Sequence, residues 1–449
     1  NQDLYYVLSL CEVTGGASPD TISFGNIYFG GKLCVFDGSD LTKVVGLTDQ
    51  STGTTDNTVS GHLNIYLYRN GSYTPVNSST NAITVMQSAN LTYTWDSNKL
   101  MSNCAFAIVK LNYNQNANIT NIQQTQFEVI NSRNSAGDVL YDYLTNTRYG
   151  AAIPTAQIDA QSITNLNTYC NEVITYTPYS GGSATQARFK MNGFVDTTKT
   201  IMQNIQDITN SCDCLLQYNE IVGQWSAIVQ SPTYTVAMDI NDSNIISSIN
   251  ISTLDISNTF NIAQCQFPDL TINSAFNTTQ IDLAIVAPSL LYPNEPVNMQ
   301  TIQLNLCNNN VQAQMLGNRF LKAARMDLQV NCTVGYIGLE LNAGDIVTVT
   351  NANYGWVAKL FRITKVVQQF GQDGEITVDL IMTNYDPTVF NDANITQFTP
   401  SANTGLPNPN IFGTVPTPTV TNSLVSAPVP SFQVNVTTSS AGITQYAEV

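Results

Sequence analysis

Charged side chains are scarce in this chain of 449 residues. Asp, Glu, Lys and Arg make up 11% of it, and the 16 basic residues are outnumbered by 32 acidic ones. A chain with so few cations can displace few counterions from phosphates, so the composition argues against nucleic-acid binding. Histidine is almost absent as well. His62 is the single copy, which nearly excludes histidine-based metal sites and catalytic triads.

Long apolar runs are also missing. No run approaches the roughly 18 residues that a membrane-spanning helix needs. The longest candidates, residues 104–111 and 281–292, are interrupted by Lys110, Asp282 and Pro288, so we predict that they are buried core strands. The chain starts at Asn1 without a basic-then-apolar leader. We therefore expect that a start was removed or that the chain is part of a longer one.

Uncharged polar residues take the place of the missing charges. The chain has 51 Asn and 52 Thr, while apolar residues still make up 43%. That apolar share is enough for packed cores, and the length allows two to four domains. The surface is then polar but weakly charged, which is unusual for a cytosolic enzyme. These totals favour a structural or binding protein over a catalyst, and we expect no cofactor.

The nine cysteines are scattered at long intervals, unlike those of a small disulfide scaffold. We predict that most are reduced and buried, where Cys packs as a small apolar group, and one or two bridges stay open as an alternative. Cys212 and Cys214 form a C-x-C motif, but its spacing is not that of redox or zinc sites. Core packing is the favoured interpretation of this motif.

Calcium is the remaining metal to weigh. Asp239, Asp242 and Asp255 lie close together in sequence, but an EF-hand loop that begins at Asp239 would need Glu at position 12 and has Asn250 there. A looser calcium loop stays open.

The pattern of apolar residues divides the chain into four parts. Residues 1–132 alternate short apolar runs with turn residues, which predicts antiparallel sheet in a sandwich or barrel. Residues 133–232 are predicted to be α+β, and residues 233–392 are predicted to be β with one helix and a barrel-like end. Residues 393–449 are rich in Pro, Thr and Ser, which is typical of an extended arm or linker. The fold class is therefore mainly β and multidomain.

Four helices are predicted from residue spacing. Ser135 and Asp138 resemble a capping box for the first, and a second is expected across residues 159–172. The third follows from an apolar stripe that begins at Ile201 and ends at Cys212. The fourth covers residues 311–326 and has a basic face of Arg319, Lys322 and Arg325. That face is either a solvated surface or a contact with an acidic surface of a neighbouring subunit.

Acidic residues are segregated along the chain. No basic residue occurs between Lys199 and Arg319, whereas nine acids do. These acids are Asp207, Asp213, Glu220, Asp239, Asp242, Asp255, Asp269, Asp282 and Glu295. A stretch of one sign cannot neutralise itself, so it predicts acidic surfaces that repel nucleic acid or attract cationic partners.

Several short strings resemble one known family in their order along the chain. Residues 138–150 read DVLYDYLTNTRYG and are similar to a helix followed by RYG in J-type tail-tip attachment (baseplate hub) proteins of long-tailed bacteriophages. Further strings match downstream in the same order: Ile158-Asp159, FKMNGFVD at 189–196, GQW at 223–225, GDIV at 344–347, YGW at 354–356, FRI at 361–363 and Tyr385-Asp386. The resemblance covers roughly residues 133–392.

The resemblance implies a structural virion protein at the tail tip. Such a hub is a homotrimer that caps the distal end of the tail tube, contacts the ring of distal tail protein and continues into tip or fibre proteins. It opens for DNA ejection on host attachment, contacts the host receptor only indirectly and has no enzymatic activity. The acid-only stretch would suit a lumen through which genomic DNA slides without binding.

Two other functions fit the sequence less well. A surface adhesin could stack sugars on Tyr66, Tyr68 and Tyr73. A glycan-cleaving tail enzyme would need two carboxylates at a fixed separation across a cleft, which sequence does not show.

Overall fold

The structure is a computed structural model. It describes residues 3–14, 19–89, 95–178, 181–253, 259–269, 275–371, 374–392, 395–397, 424–425 and 431–432. Of the predicted arm, 393–449, only the last three of these ranges are described. The sequence GQDG at 371–374 is typical of a tight turn, but residues 372–373 lie outside these ranges. Asp255 lies outside them as well.

The first part of the chain packs two antiparallel sheets against each other. Its elements are β1 (Asp3–Glu12), β2 (Ile22–Phe29), β3 (Lys32–Phe36), β4 (Val44–Thr48), β5 (Thr55–Asp56), β6 (Leu63–Tyr68), α1 (Ala82–Ser88), β7 (Cys104–Asn112) and β8 (Thr125–Asn131). The sheet orders are β1-β7-β6 and β5-β4-β3-β2-β8. One apolar core holds residues of both sheets, such as Phe29 with Val109, so this part is a sandwich.

The helix α1 was not predicted. Its sequence, AITVMQS, is short and rich in β-branched residues, which gives the same pattern as a buried strand. Asn81 begins the helix, because its side chain accepts a hydrogen bond from the Thr84 amide at 2.8 Å. The helix packs Val85 and Met86 beside Phe106 on the outer face of the β1-β7-β6 sheet. The central strand β7 is therefore covered on both faces, as its continuous apolar sequence predicts.

The middle of the chain is α+β, as predicted. It contains α2 (Ala136–Thr145), α3 (Ala160–Asn171), β9 (Val173–Thr177), β10 (Ala184–Ala187), α4 (Ile201–Cys212), β11 (Cys214–Asn219) and β12 (Gln224–Val229). The strands β11 and β12 form an antiparallel hairpin. Thr200 and Gln203 close a reciprocal capping box at the start of α4, which fixes where the helix begins.

The predicted capping box of the first helix is wrong in its partners. Ser135 does begin α2, but its side chain accepts no cap hydrogen bond. The Asn167 carboxamide of α3 takes that place, accepting from the Gly137 amide at 2.8 Å and donating to Asp138 Oδ1 at 2.8 Å. A residue 30 positions away thus caps the helix, which no local pattern reveals.

The last part contains two larger sheets and a two-stranded β23–β24 pair. Its elements are β13 (Val236–Asn241), β14 (Asn250–Thr253), β15 (Ile262–Asp269), β16 (Ala275–Asp282), α5 (Leu283–Val286), β17 (Met299–Gln303), α6 (Asn310–Ala323), β18 (Leu328–Val334), β19 (Ile346–Asn351), β20 (Trp356–Phe370), β21 (Ile376–Asn384), β22 (Ile395–Thr396), β23 (Leu424–Val425) and β24 (Ser431–Phe432). The sheet orders are β13-β19-β20-β21-β18-β14 and β16-β15-β17. Strand β18 stops at Val334, and a 3-10 helix follows at Tyr336–Glu340.

Helix α6 joins the middle part to the three-stranded sheet. The largest apolar core includes Leu140 of α2 and Ile208 of α4 together with Cys265 of β15 and Met315 of α6. Strand β22 extends the small β9–β10 sheet, where Ile395 lies opposite Tyr176. One core therefore spans both sides of residue 232, and the four-part division of the chain remains a prediction.

The fold class predicted from the sequence is confirmed. The described residues are mainly strand, in several separate sheets, with six α-helices. All nine cysteines are free thiols and seven of them are buried. In the described part of the chain, no helix is long and apolar enough to span a membrane.

Gly317 allows α6 to lie close to the β15–β16 pair. A Cβ atom there would meet Ile281 and would stand 2.6 Å from Cys265 Sγ. We expect Gly317→Ala to lower the free energy of unfolding by about 1–3 kcal/mol, because the overpacking outweighs the better helix propensity of Ala. Gly38→Ala is the control, since Gly38 is exposed and has no atom within 4 Å of the added Cβ. Equal denaturation curves for the two variants would contradict this account of the helix packing.

Candidate functional site: a buried arginine junction

Arg319 lies in the centre of the structure. The helix that carries it begins at Asn309, whose side chain accepts hydrogen bonds from the amides of Val311 and Gln312. Arg319 is 2% exposed. The prediction that it belongs to a solvated or partner-facing basic surface is therefore wrong for this residue. Helical spacing placed it opposite one apolar stripe, but α6 is packed on most of its circumference.

The Arg319 guanidinium forms a bidentate ion pair with the Asp392 carboxylate through two hydrogen bonds. Nε donates to Oδ1 at 3.0 Å and Nη2 donates to Oδ2 at 2.5 Å. Arg188 also donates to Asp392, and its second guanidinium nitrogen contacts Glu172 Oε2 at 2.6 Å. Tyr169 lies between the two arginines, with its hydroxyl 2.7 Å from Arg319 and its ring 4.3 Å from Arg188. Bidentate pairs of this kind hold both position and orientation.

Asp213 supplies the second carboxylate. It follows the last residue of α4 in a left-handed conformation, with φ of 50°, and accepts a hydrogen bond from Arg319 Nη1 at 2.8 Å. Burial raises the pKa of the Asp213 carboxyl, and the charge of Arg319 opposes that shift. The backbone turn between Cys212 and Cys214 is therefore held by an ion pair as well as by core packing.

The junction reaches the six-stranded sheet through Gln230. Its carbonyl oxygen accepts from Arg319 at 3.2 Å, and its side chain donates to Asp213 Oδ1 at 3.1 Å. Its side-chain oxygen accepts from Arg362 of β20. Arg362 stacks 4.6 Å from the ring centre of Tyr385, and burial lowers its pKa. The middle part, helix α6 and the six-stranded sheet thus meet at one polar centre. We name it the arginine junction, and it consists of Arg319 with Asp392, Arg188, Asp213, Gln230 and Arg362.

A second buried pair lies at the end of the same helix. Arg325 donates to both carboxylate oxygens of Glu295, at 3.0 and 2.6 Å. The Arg325 hydrogen bonds hold the pKa of the Glu295 carboxyl below its ordinary value. Lys322 is half-buried and forms no ion pair among the described residues. The predicted basic face is thus divided, since two of its cations are bound within the chain and only Lys322 remains for a partner.

The nine acids of the predicted lumen are also divided. Asp213 and Glu295 are held in the ion pairs above, and Asp269 is buried with a hydrogen bond from Asn277. Asp207 pairs with Lys199 at 2.7 Å, and Asp282 begins α5. Glu220, Asp239 and Asp242 are exposed, and Asp255 lies outside the described residues. The structure therefore does not bring the acids together on one surface of this chain.

No enzymatic or metal site is evident among the described residues. No group of three or more His, Cys, Asp or Glu side chains there is placed to hold a metal ion. The side chain of His62 is hydrogen-bonded to those of Asn112 and Asn114. Cys212 and Cys214 are buried with their sulfur atoms 3.5 Å apart.

The tyrosines of the adhesin hypothesis do not form a platform. Tyr68 is fully buried and stacks on Phe106 at 4.7 Å, while Tyr66 is partly buried and Tyr73 is exposed.

Sequence reasoning missed Asp392 and Arg188. Asp392 is the last residue of the part predicted to be β, directly before the predicted arm, and Arg188 was not singled out. Helix α6 mixes apolar residues with Asn and Gln, so its sequence gave no sign that Arg319 is buried and needs an acidic partner elsewhere in the chain. Arg319 and Asp392 are 73 residues apart in sequence, so no local pattern identifies Asp392 as the acidic partner of Arg319.

The comparisons with known proteins identify a class of relatives. No family model matches the chain. By sequence, it is similar to structural proteins of phage tails and baseplates. One such relative is the baseplate hub protein pb3 of Escherichia phage T5, which is 25% identical over 332 residues, or 66% of this chain. This chain spans about a third of that relative's length.

A solved structure has the same fold. A chain in the virion of a native gene transfer agent particle matches 87% of this chain and 80% of its own length, with a TM-score of 0.50 and 13% identity. The resemblance to tail-tip hub proteins, predicted from the motifs above, is confirmed by these comparisons. The expected relation to components of the virion tail is confirmed with it.

Removing the central cation tests the arginine junction. We expect Arg319→Met to lower the free energy of unfolding by about 3–5 kcal/mol, because Asp213 would lose its only cation among the described residues and Asp392 would lose one of its two arginines. Arg319→Lys should restore little of it, since Lys lacks the planar fork that binds Asp392 through two atoms. The measurement is denaturant unfolding.

Lys322→Met is the matched control on the same helix, and we expect it to change the free energy of unfolding by less than about 0.5 kcal/mol. If Arg319→Met were as stable as this control, the arginine junction would not organise the fold.

Proposed function

We propose that this chain is the hub at the distal end of a phage tail. Three copies would close a ring at the end of the tail tube, below the ring of distal tail protein, and would continue into tip or fibre proteins. On host attachment, which tip proteins would sense, the ring would open for DNA ejection. Its role is mechanical, and no chemistry of its own is proposed.

One observation carries this proposal. The match to the T5 baseplate hub protein runs through 332 residues, far more than a single shared motif. The fold match to a chain of a gene transfer agent virion covers an even larger share of the chain.

The arginine junction suits a mechanical role. Asp392 is the last described residue before the chain reaches β22, and two arginines hold it inside the structure. A pull on the polypeptide after Gln397 would therefore reach β9 through β22 first, and then α6, α4 and β20 through Asp392. A hub that passes a signal from tip to tube needs such a rigid connection.

In the proposed ring, the exposed acidic residues would line the channel. Glu220, Asp239 and Asp242 stay exposed after the internal ion pairs are counted, and the net charge of the chain is -16. In a ring, three copies would triple the acids at the channel wall. Like charges there would repel DNA phosphates and keep the passing genome from binding.

Oligomeric state is the direct test. We expect the purified chain to form a trimer by light scattering, and negatively stained particles to average to a threefold ring with a central opening. Because some hubs assemble only on their partner, the measurement is repeated with the distal tail protein added. A chain that stays monomeric in both samples would contradict the proposal.

A further inference from the structure

Strand β17 lies at an open edge of its sheet. Among the described residues it pairs with β15 alone, and the sheet order ends there. Its sequence, MQTIQ, has no charge and no proline, although native proteins usually protect a sheet edge with one or the other. Met299 is 50% exposed, and Val297, just before the strand, is 80% exposed. An edge of this kind is suited to receive another strand.

The hydrogen bonds of the β15–β17 pair show which backbone groups are free. The Ile262 amide donates to the Asn298 carbonyl, and the Leu304 amide donates to the Gln266 carbonyl. Because strand geometry repeats every two residues, the even positions from 298 to 304 face β15. The amide and carbonyl groups of Met299, Thr301 and Gln303 therefore point outward. Within the described part of the chain, these outward backbone groups take part in one hydrogen bond, a long one of 3.5 Å from the Gln300 side chain to the Thr301 carbonyl.

The open edge borders a cleft of about 660 Å³. Strand β17 forms one side of the cleft and α4 and α6 form the others, with apolar side chains from Ile302, Leu316 and Phe320 in its lining. The charged groups that reach the cleft are already paired, Lys199 with Asp207 and Arg319 with Asp213. The cleft therefore favours an uncharged, partly apolar strand over a charged peptide.

The end of this chain has that character. Residues 393–447 contain no charged side chain. Phe390 lines the cleft, and the described chain continues from it to Gln397, whose amide donates to the Thr177 carbonyl of β9. In residues 431–437, which read SFQVNVT, the apolar Phe432, Val434 and Val436 alternate with polar residues, as in a strand with one buried face. Residues Ser431–Phe432 form β24, which pairs on one side with β23.

We propose that residues 431–437 of the same chain add to the open edge of β17 as a further strand. Its amides and carbonyls would pair with those of Met299, Thr301 and Gln303, and its apolar face would cover the cleft beside Ile302. Thirty-three residues separate Gln397 from Ser431, which corresponds to a root-mean-square span of about 30 Å. At that tether length the effective concentration of the strand is in the millimolar range.

Disulfide trapping in the full-length chain tests this docking. Thr301→Cys is combined in turn with Gln433→Cys, Asn435→Cys and Thr437→Cys, which covers three registers on the solvent face of the new strand. We expect one pair to oxidise within a chain about tenfold faster than the control pair Thr52→Cys with Asn435→Cys. Thr52 is an exposed threonine in the first part of the chain. Peptide mass spectrometry under non-reducing conditions identifies the bond.

A proline substitution in β17 provides a second test in the same disulfide-trapping experiment. Thr301→Pro removes an outward amide while leaving every backbone hydrogen bond to β15 in place, and it gives up only the 3.4 Å side-chain hydrogen bond from Thr301 to Gln264. Gln303→Cys is first combined with each of the three tail cysteines, and the pair that oxidises fastest is the background. Thr301→Pro added to that pair should abolish the trapped bond without changing the unfolding curve. Trapping at the control rate in all three registers would overturn the proposal. Covalent dimers on a denaturing gel would also overturn it, because they would assign the strand to a second copy of the chain.

Discussion

Three parts of this protein are held in their relative positions by one buried cation. Arg319 contacts Asp213 at the end of α4, Tyr169 on α3 and Asp392 just before β22. Without it Asp213 would lose its cation and Asp392 would keep only Arg188, and a buried carboxylate is costly unless it is paired. The apolar cores stabilise each part, but such packing tolerates small shifts. The directional pairs of Arg319 determine how the parts fit together.

Sequence patterns predicted elements well where one face or both faces of an element are buried. The stripe from Ile201 to Cys212 gave α4, and the apolar run at 104–111 gave β7. Helix α1 was missed because seven residues are too few to separate a helical from a strand period. The cap of α2 by Asn167 and the pairing of Arg319 with Asp392 were missed for another reason. Both depend on residues that only the tertiary fold brings together.

The charge pattern gave a more mixed result. The stretch from 200 to 318 has nine acids and no base, and the expectation was an acidic surface. Cations from outside the stretch neutralise part of it, with Arg319 at Asp213 and Arg325 at Glu295. Sequence counts charge along the chain, whereas neutralisation occurs in space. Glu220, Asp239 and Asp242 remain exposed.

The central claim is that this chain forms the ring at the end of a phage tail. A cryo-electron microscopy reconstruction of the tail tip of intact particles tests it most directly. The account predicts three copies around the tail axis at the end of the tube, with Asp239 and Asp242 facing the channel. A chain located in a peripheral fibre, or on the outer surface with both acids turned away from the axis, would contradict it.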